Sequence, residues 1–314
     1  MRIGIIDLGS NSIRLVIYYW DGIKVEKKQD VKHQGQSIKF IKDQKMSQAG
    51  MDSIVTHLKE LMVMARAYGI DELRIFATAS LRNISNSKEA KAEIENKIMF
   101  PIDILNGYEE SLFGFEGMKK VVRLPLEGIS IDIGGGSSEI TYFKNEVAVF
   151  TDSIPIGSLS LYLDHVVDVV PNDFEQVAMR HVIQNALDDL VWLDGLKVET
   201  IIGIGGTARA VMKLHQARYE INSSIYDMTL SSTIVHGIAT LNKRNRTSEL
   251  SLIVDVIPDR LTTVFPGALI LDEVMRKVDA QEYLLSQYGV REGYMFNRIL
   301  QEKKTVKSDL SQQD

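Results

Sequence analysis

Two segments of the chain place an acidic residue just ahead of a turn rich in glycine and hydroxyl side chains. The first reads Gly4-Ile5-Ile6-Asp7-Leu8-Gly9-Ser10-Asn11-Ser12-Ile13-Arg14-Leu15, and the second Ser130-Ile131-Asp132-Ile133-Gly134-Gly135-Gly136-Ser137-Ser138-Glu139-Ile140. In each, an apolar run ends in Asp, the chain turns, and a strand-like run follows. Backbone N–H groups gathered in such a turn bind anions, and a neighbouring carboxylate can hold the metal that accompanies a phosphate. The two copies lie about 125 residues apart, which suggests two half-sites facing each other across a cleft.

The residues after each turn separate the phosphate-binding folds. A dinucleotide-binding fingerprint and a P-loop both need strand, glycine turn and then helix. After Gly136 the chain runs Ser-Ser-Glu-Ile-Thr-Tyr-Phe, and after Gly9 residues Ile13, Leu15 and Ile17 alternate with Arg14, Val16 and Tyr18. Period-two alternation of β-branched and aromatic residues predicts strands. Both turns are therefore read as tips of β-hairpins, which disfavours the Rossmann and P-loop alternatives.

A general base and a cation complete the parts needed for phosphoanhydride chemistry. Glu109 and Glu110 fall in the first turn of a helix expected from about Tyr108 to Val122, where carboxylates complement the helix dipole. That is the plain reading of the pair. Helical spacing separates the two residues, because Glu110 shares a side with Gly114, Gly117 and Val121, whereas Glu109 shares one with Glu116 and Lys120. A Glu on a glycine stripe can approach another segment or a ligand closely, so Glu110 is the catalytic candidate and Glu109 a surface charge. Arg82 follows Thr78-Ala79-Ser80-Leu81 just past the strand expected at Arg74–Ala77, where loops meet sites; its plain reading is a surface arginine.

Composition bounds the rest. With 314 residues, the chain suits two domains. Apolar residues at 45% and charged residues at 25% describe a soluble globular protein. A net charge of −6, with no Lys/Arg block, gives no footprint for DNA or RNA. The absence of cysteine points to an intracellular, cytoplasmic protein without disulfides or thiolate metal sites. A strand beginning at residue 2 or 3 leaves no room for a signal peptide, and no apolar run approaches membrane-spanning length. The six histidines, His33, His57, His165, His181, His215 and His236, show no ligand spacing. No Gly-x-Ser-x-Gly elbow marks a serine hydrolase.

Further elements are expected at 47–68, a helix with Met51, Ile54, Val55, Leu58, Leu61, Met62 and Met64 along its apolar side, and at residues 88–98, 174–190, 208–215 and 264–278, also helical. Strands are expected at Ile102–Leu105 and Thr200–Ile204. Asn172 or Asp173 is a candidate N-cap.

Taken together, Asp-Leu-Gly-Ser-Asn-Ser at 7–12, Ala-Thr-Ala-Ser-Leu-Arg at 77–82, Asn-Gly-Tyr-Glu-Glu at 106–110 and Asp-Ile-Gly-Gly-Gly-Ser-Ser-Glu at 132–139 resemble the Ppx/GppA group of exopolyphosphatases and guanosine pentaphosphate phosphohydrolases. Gly203–Thr207, Phe265–Ala268 and Gly289–Gly293 are similar too, in the expected order over nearly the whole chain. The resemblance implies an α/β fold of two actin-like (ribonuclease H-like) domains with an active-site cleft between them. The first would cover 1–124, completed by a C-terminal helix near 297–306, the second 125–296, followed by a polar tail at 307–314. It implies Glu110 as the base that activates water, and Arg82 with Gly9, Ser10, Asn11, Ser12, Gly134, Gly135, Gly136 and Ser137 as phosphate-binding residues. Asp132 and Glu139, with Asp7, would organise Mg2+. Arg260 and Arg291 are further candidates for a longer substrate. A homodimer is also implied.

The sequence departs from the family pattern where Ser111 follows Glu110 and where Ser138 stands in place of Thr, and its stop at residue 314 implies a short, two-domain form beside long members that carry an extra C-terminal helical part. The expected function is a Mg2+-dependent phosphohydrolase acting on polyphosphate or on the 5′ end of pppGpp. The alternatives are a pppGpp or polyphosphate sensor without turnover and an actin-like small-molecule kinase.

Overall fold

The computed structural model describes residues 1–240 and 246–302. The polar tail at 307–314 and the last part of the helix expected at 297–306 lie outside the described residues. Packing divides the chain into two compact units, Met1–Gly107 and the part from Tyr108 onward.

The first unit contains β1 (Arg2–Leu8), β2 (Ile13–Trp20), β3 (Val25–His33), a small ribbon of β4 (Ile41–Lys42) and β5 (Lys45–Met46), α1 (Gln48–Ala67), β6 (Glu72–Ala77), the single turn α2 (Ala79–Arg82), α3 (Ser87–Ile98) and β7 (Asp103–Ile104). Its main sheet runs β3-β2-β1-β6-β7, with β1, β2 and β3 antiparallel and β6 and β7 parallel to β1. Strand β1 buries Ile3, Ile5, Ile6 and Leu8 completely, as a strand covered on both faces must. At the edge, β3 carries Glu26, Lys27, Lys28, Asp30 and Lys32, charges that blunt an open sheet edge against further pairing.

Helix α1 starts where Ser47 Oγ accepts the Gly50 amide at 3.3 Å. It buries Met51, Ile54, Val55, Leu58, Leu61, Met62 and Ala65. Met64, expected on that side, is 41% exposed. The buried stripe advances from Leu61 by four residues to Ala65, which turns Val63 and Met64 outward.

The second unit contains α4 (Gly107–Met118), β8 (Glu127–Ile133), β9 (Ser138–Lys144), β10 (Val147–Ile154), α5 (Ser158–His165), α6 (Asp173–Asp188), β11 (Thr200–Ile204), α7 (Gly205–Arg218), β12 (Leu230–Ser231), α8 (Ser232–Ala239), α9 (Arg246–Val256), α10 (Val264–Lys277), β13 (Glu282–Leu285) and α11 (Val290–Tyr294), with a π turn at Met295–Ile299. Its sheet runs β10-β9-β8-β11-β13-β12. The first five strands repeat the first unit's plan: three antiparallel strands in the order third, second, first, then two parallel to the first. This is the ribonuclease H-like, actin-like arrangement expected from the resemblance. Asn172 caps α6 in a reciprocal capping box with Glu175.

The structure differs from the sequence reading at three places. Residues 79–82, read as loop, form one helical turn closed by the Arg82 amide donating to Thr78 O at 2.9 Å. Helix α4 ends at Met118 rather than near Val122. Packing groups its residues from Tyr108 with the second unit, whereas the sequence boundary was drawn at 124/125.

Candidate active site

In the first unit, the loop Gly9–Ser12 joins β1 to β2 and closes with the Gly9 amide donating to Ser12 O at 3.1 Å. The other loop carbonyls are bound by the segment after β3. Ser37 Oγ donates to Gly9 O and Ser10 O at 3.3 Å each, and the Gln36 amide donates to Asn11 O at 3.0 Å. In a trans peptide the C=O of one residue points opposite to the N–H of the next. Fixing the carbonyls of residues 9 to 11 on this segment therefore turns the amides of Ser10, Asn11 and Ser12 the other way, as an anion-binding nest requires.

Asp7 is the penultimate residue of β1 and stands directly opposite Arg14 on β2. The Arg14 guanidinium forks onto Asp30, with Nε to Oδ1 at 2.5 Å and Nη2 to Oδ2 at 2.6 Å. Burial pushes the Asp30 carboxyl up, but hydrogen bonds and charge from Arg14 and Lys27 outweigh it and lower its pKa to about 2. Turn α2 is fastened beside the loop, because Ser80 Oγ donates to Leu8 O, the last carbonyl of β1. Arg82, at the end of that turn, donates from Nη1 to Leu105 O at 3.2 Å. The first unit thus gathers Asp7, Gly9–Ser12 and the Arg82 turn at the C-terminal ends of its parallel strands, the usual place for ligands in open α/β sheets.

The second unit repeats this construction with different partners. The Gly134 amide donates to Ser137 O at 2.9 Å, closing the loop between β8 and β9. The start of α5 takes the loop's carbonyls: the Ser158 amide and hydroxyl donate to Gly134 O at 2.9 and 3.0 Å, and the Leu159 and Ser160 amides to Gly135 O. The amides of Gly135 and Gly136 accordingly face away from α5. Gly157 lies so close to this peptide that a Cβ there would stand 2.5 Å from Gly135 O. Below the loop, Thr207 Oγ1 donates to Ile133 O at 2.9 Å. The Asp132 carboxyl fills the place a side chain at Gly205 would need, and Gly205 also has a positive φ of 84°.

Glu139 is 4% exposed, and its Oε1 accepts Ser137 Oγ and Ser153 Oγ at 2.7 Å each. It stands directly opposite Asp132 across β8 and β9. Like charges in directly opposed strand positions are destabilising, and a bound cation would relieve that repulsion. An all-oxygen donor set suits a hard ion such as Mg2+. The residues present fit that ion.

Glu110 is buried, at 8% exposure, in the first turn of α4. The glycine stripe beneath it behaves as its spacing implied: a side chain at Gly117 would collide with the Gly289 carbonyl, and one at Gly293 with the Phe113 carbonyl. Small residues on both partners bring α4 and α11 into backbone contact. Next to Glu110, Ser111 Oγ donates to Asp152 O at 3.3 Å, so the helix start is docked on β10 one residue from the Ser153 that binds Glu139. Glu109, expected as a surface charge, is partly exposed and ion-paired with Arg298 at the surface. The Arg260 guanidinium occupies the space over Gly206 at the start of α7, and Arg291 lies in α11.

Sequence reasoning missed Ser37, Gly157 and Ser158, and it noted Thr207 only within the Gly203–Thr207 motif. The Gly157 to Ser160 spacing ahead of an apolar run was a usable helix-start signal, and the Gly157 amide does donate to Ser160 Oγ at 2.9 Å. Nothing in the spacing of Ser37 marks it.

The chain matches the Ppx/GppA phosphatase family over residues 25–302. It is 21% identical over 306 residues to exopolyphosphatase 1 of Mycobacterium leprae, covering 95% of this chain and 90% of that one. It is 24% identical over 299 residues to the guanosine-5′-triphosphate,3′-diphosphate pyrophosphatase of Aeromonas salmonicida, covering 94% of this chain but 58% of that protein. Its fold is that of an exopolyphosphatase from Cytophaga hutchinsonii, with a TM-score of 0.83 at 20% identity over 94% of this chain and 97% of the other. The Aquifex aeolicus member of the Ppx/GppA family gives a TM-score of 0.75 at 19% identity, over 96% and 98% of the two chains. Two nest-forming loops, a carboxylate ahead of each and a match across most of the sequence lead to one assignment: the chain belongs to the Ppx/GppA phosphatase family, hydrolases of phosphoric anhydrides.

Proposed function

We propose that the chain is an exopolyphosphatase in which Glu110 activates water for attack on the terminal phosphorus of inorganic polyphosphate. The observation that carries this reading is the pairing of a buried Glu110, docked beside the strand that serves Glu139, with a loop whose amides are turned outward by α5. Glu110 takes a proton from water as its oxygen bonds to the terminal phosphorus. The bridging P–O bond breaks, and the shortened chain leaves with the bonding electrons as an anion. The amides of Gly9–Ser12 and Gly134–Ser137 bind phosphoryl oxygens, and Arg82 adds a charge-assisted contact. Asp132 and Glu139, with Asp7, would hold Mg2+, which supplies charge neutralisation for phosphoryl transfer when bound.

Polyphosphate is preferred over pppGpp because the exopolyphosphatase relative is matched over nearly its whole length, whereas the pyrophosphatase relative is matched over 58% of its own. The test is phosphate release, with Mg2+, from short polyphosphate, long polyphosphate, pppGpp and ATP by wild type and Glu110→Gln. Turnover of polyphosphate, lost in Glu110→Gln with binding kept, supports the reading. Turnover of pppGpp alone would move the substrate, and binding without turnover would make the protein a sensor.

A further inference from the structure

The first unit holds a second cluster of ligating side chains that the phosphatase reading does not use. His33 ends β3, opposite Ile13 in the sheet register, and His57 and Glu60 lie three residues apart on one face of α1. The two rings meet edge to face, with centroids 5.2 Å apart and planes at 69°. Their Nδ1 atoms are 3.2 Å apart, and Glu60 Oε2 lies 3.5 Å from His33 Nδ1 and 3.9 Å from His57 Nδ1. The ligand atoms of these three side chains all lie within 4.8 Å of one another.

We propose that His33, His57 and Glu60 form a site for a divalent transition metal of the zinc class. Zn–N and Zn–O bonds of about 2.0–2.1 Å in tetrahedral geometry place ligand atoms about 3.3–3.4 Å apart. The Nδ1–Nδ1 distance already meets that spacing, and the two Glu60 distances need a closure of a few tenths of an ångström. Glu60 can supply it, because its side chain is 54% exposed, whereas the histidine side chains are 18% and 28% exposed. Two imidazoles and a carboxylate select zinc-class ions over Mg2+, which favours oxygen donors. Water would take the fourth position on the open side of Glu60. With both protons on Nε2, each Nδ1 presents a lone pair to the ion.

The site is also well placed to matter. Three residues after His33 begins the segment whose Gln36 amide and Ser37 hydroxyl hold the Gly9–Ser12 carbonyls. An ion joining β3 to α1 would fix the start of that segment.

The test uses chelator-treated full-length protein kept in excess Mg2+, so that oxygen-donor sites stay filled. Calorimetric titration with Zn2+ is expected to show one tight equivalent. Loss of outer-shell partners alone weakens metal sites by about 10–100-fold, so His33→Ala and His57→Ala should each weaken binding by more than about 100-fold. Glu60→Gln should weaken it less. Should a histidine variant fail to fold, zinc-dependent protection of His33 and His57 against diethyl pyrocarbonate, mapped by mass spectrometry on wild type, gives the same answer. Absence of the tight equivalent, its persistence in both histidine variants, or labelling unaffected by Zn2+ would each overturn the proposal.

Discussion

Gly157→Ala probes the second loop without replacing any residue proposed to contact substrate. A Cβ at this position would stand 2.5 Å from Gly135 O and would also collide with Gly135 C and Gly136 N. All three are backbone atoms, so no flexible side chain can swing aside. Ordinary contact begins near 3.4 Å, which requires the Gly135–Gly136 peptide, or the start of α5, to move by about 1 Å. That peptide carries the amide proposed to bind a phosphoryl oxygen. A misplacement of about 1 Å in a catalytic constellation costs about 10²-fold, or roughly 2.7 kcal/mol of transition-state stabilisation. Overpacking of this kind costs about 1–3 kcal/mol of stability, which in a unit of this size lowers Tm by about 2–12 °C. The assay is kcat/KM for phosphate release from polyphosphate, read beside a thermal melt. Ser158→Ala is the graded control, because it removes a single hydroxyl contact to Gly134 O while keeping the backbone bonds. It should cost only about 0.5–1.5 kcal/mol. A Gly157→Ala protein within about threefold of wild-type kcat/KM would refute the claim that α5 sets the loop's geometry.

Glu110→Gln keeps the shape of the buried side chain and removes its basicity, so kcat should fall by about 10²–10⁴-fold with KM little changed, measured at saturating and limiting polyphosphate. Arg82→Ala removes a charge-assisted contact of about 1.5–3 kcal/mol, which should lower kcat/KM by about 10–100-fold, with Arg82→Lys partly restoring it. The Arg14–Asp30 pair gives a pH dependence whose sign follows from the lowered pKa. Its stabilisation is fully present above the unfolded Asp value near 3.8 and is lost as pH falls through about 2. Denaturant titrations between pH 5 and 2 should show a loss in wild type, up to about 2 kcal/mol, that Asp30→Asn lacks.

Much of the site is legible in the chain because its signals are local. The strand–glycine turn–strand pattern at 4–15 and 130–140 gives the hairpins and the aspartate ahead of each loop. Spacings of four and seven residues put Glu110 on the side of Gly114 and Gly117, and those glycines pack against residues 289–293. What the sequence does not carry is which distant segment meets each loop. The Gly9–Ser12 carbonyls are held by residues 36–38, whereas the Gly134 and Gly135 carbonyls are held by the start of α5, so the same outward turn of the amides has two unrelated causes. Likewise, His33 and His57 show no ligand spacing because they are 24 residues apart on different elements; only the tertiary fold brings their rings together. Periodicity reports which face of an element is buried. It does not report what that face meets, which is set when sheets and helices pack and each segment finds the partner that satisfies its backbone.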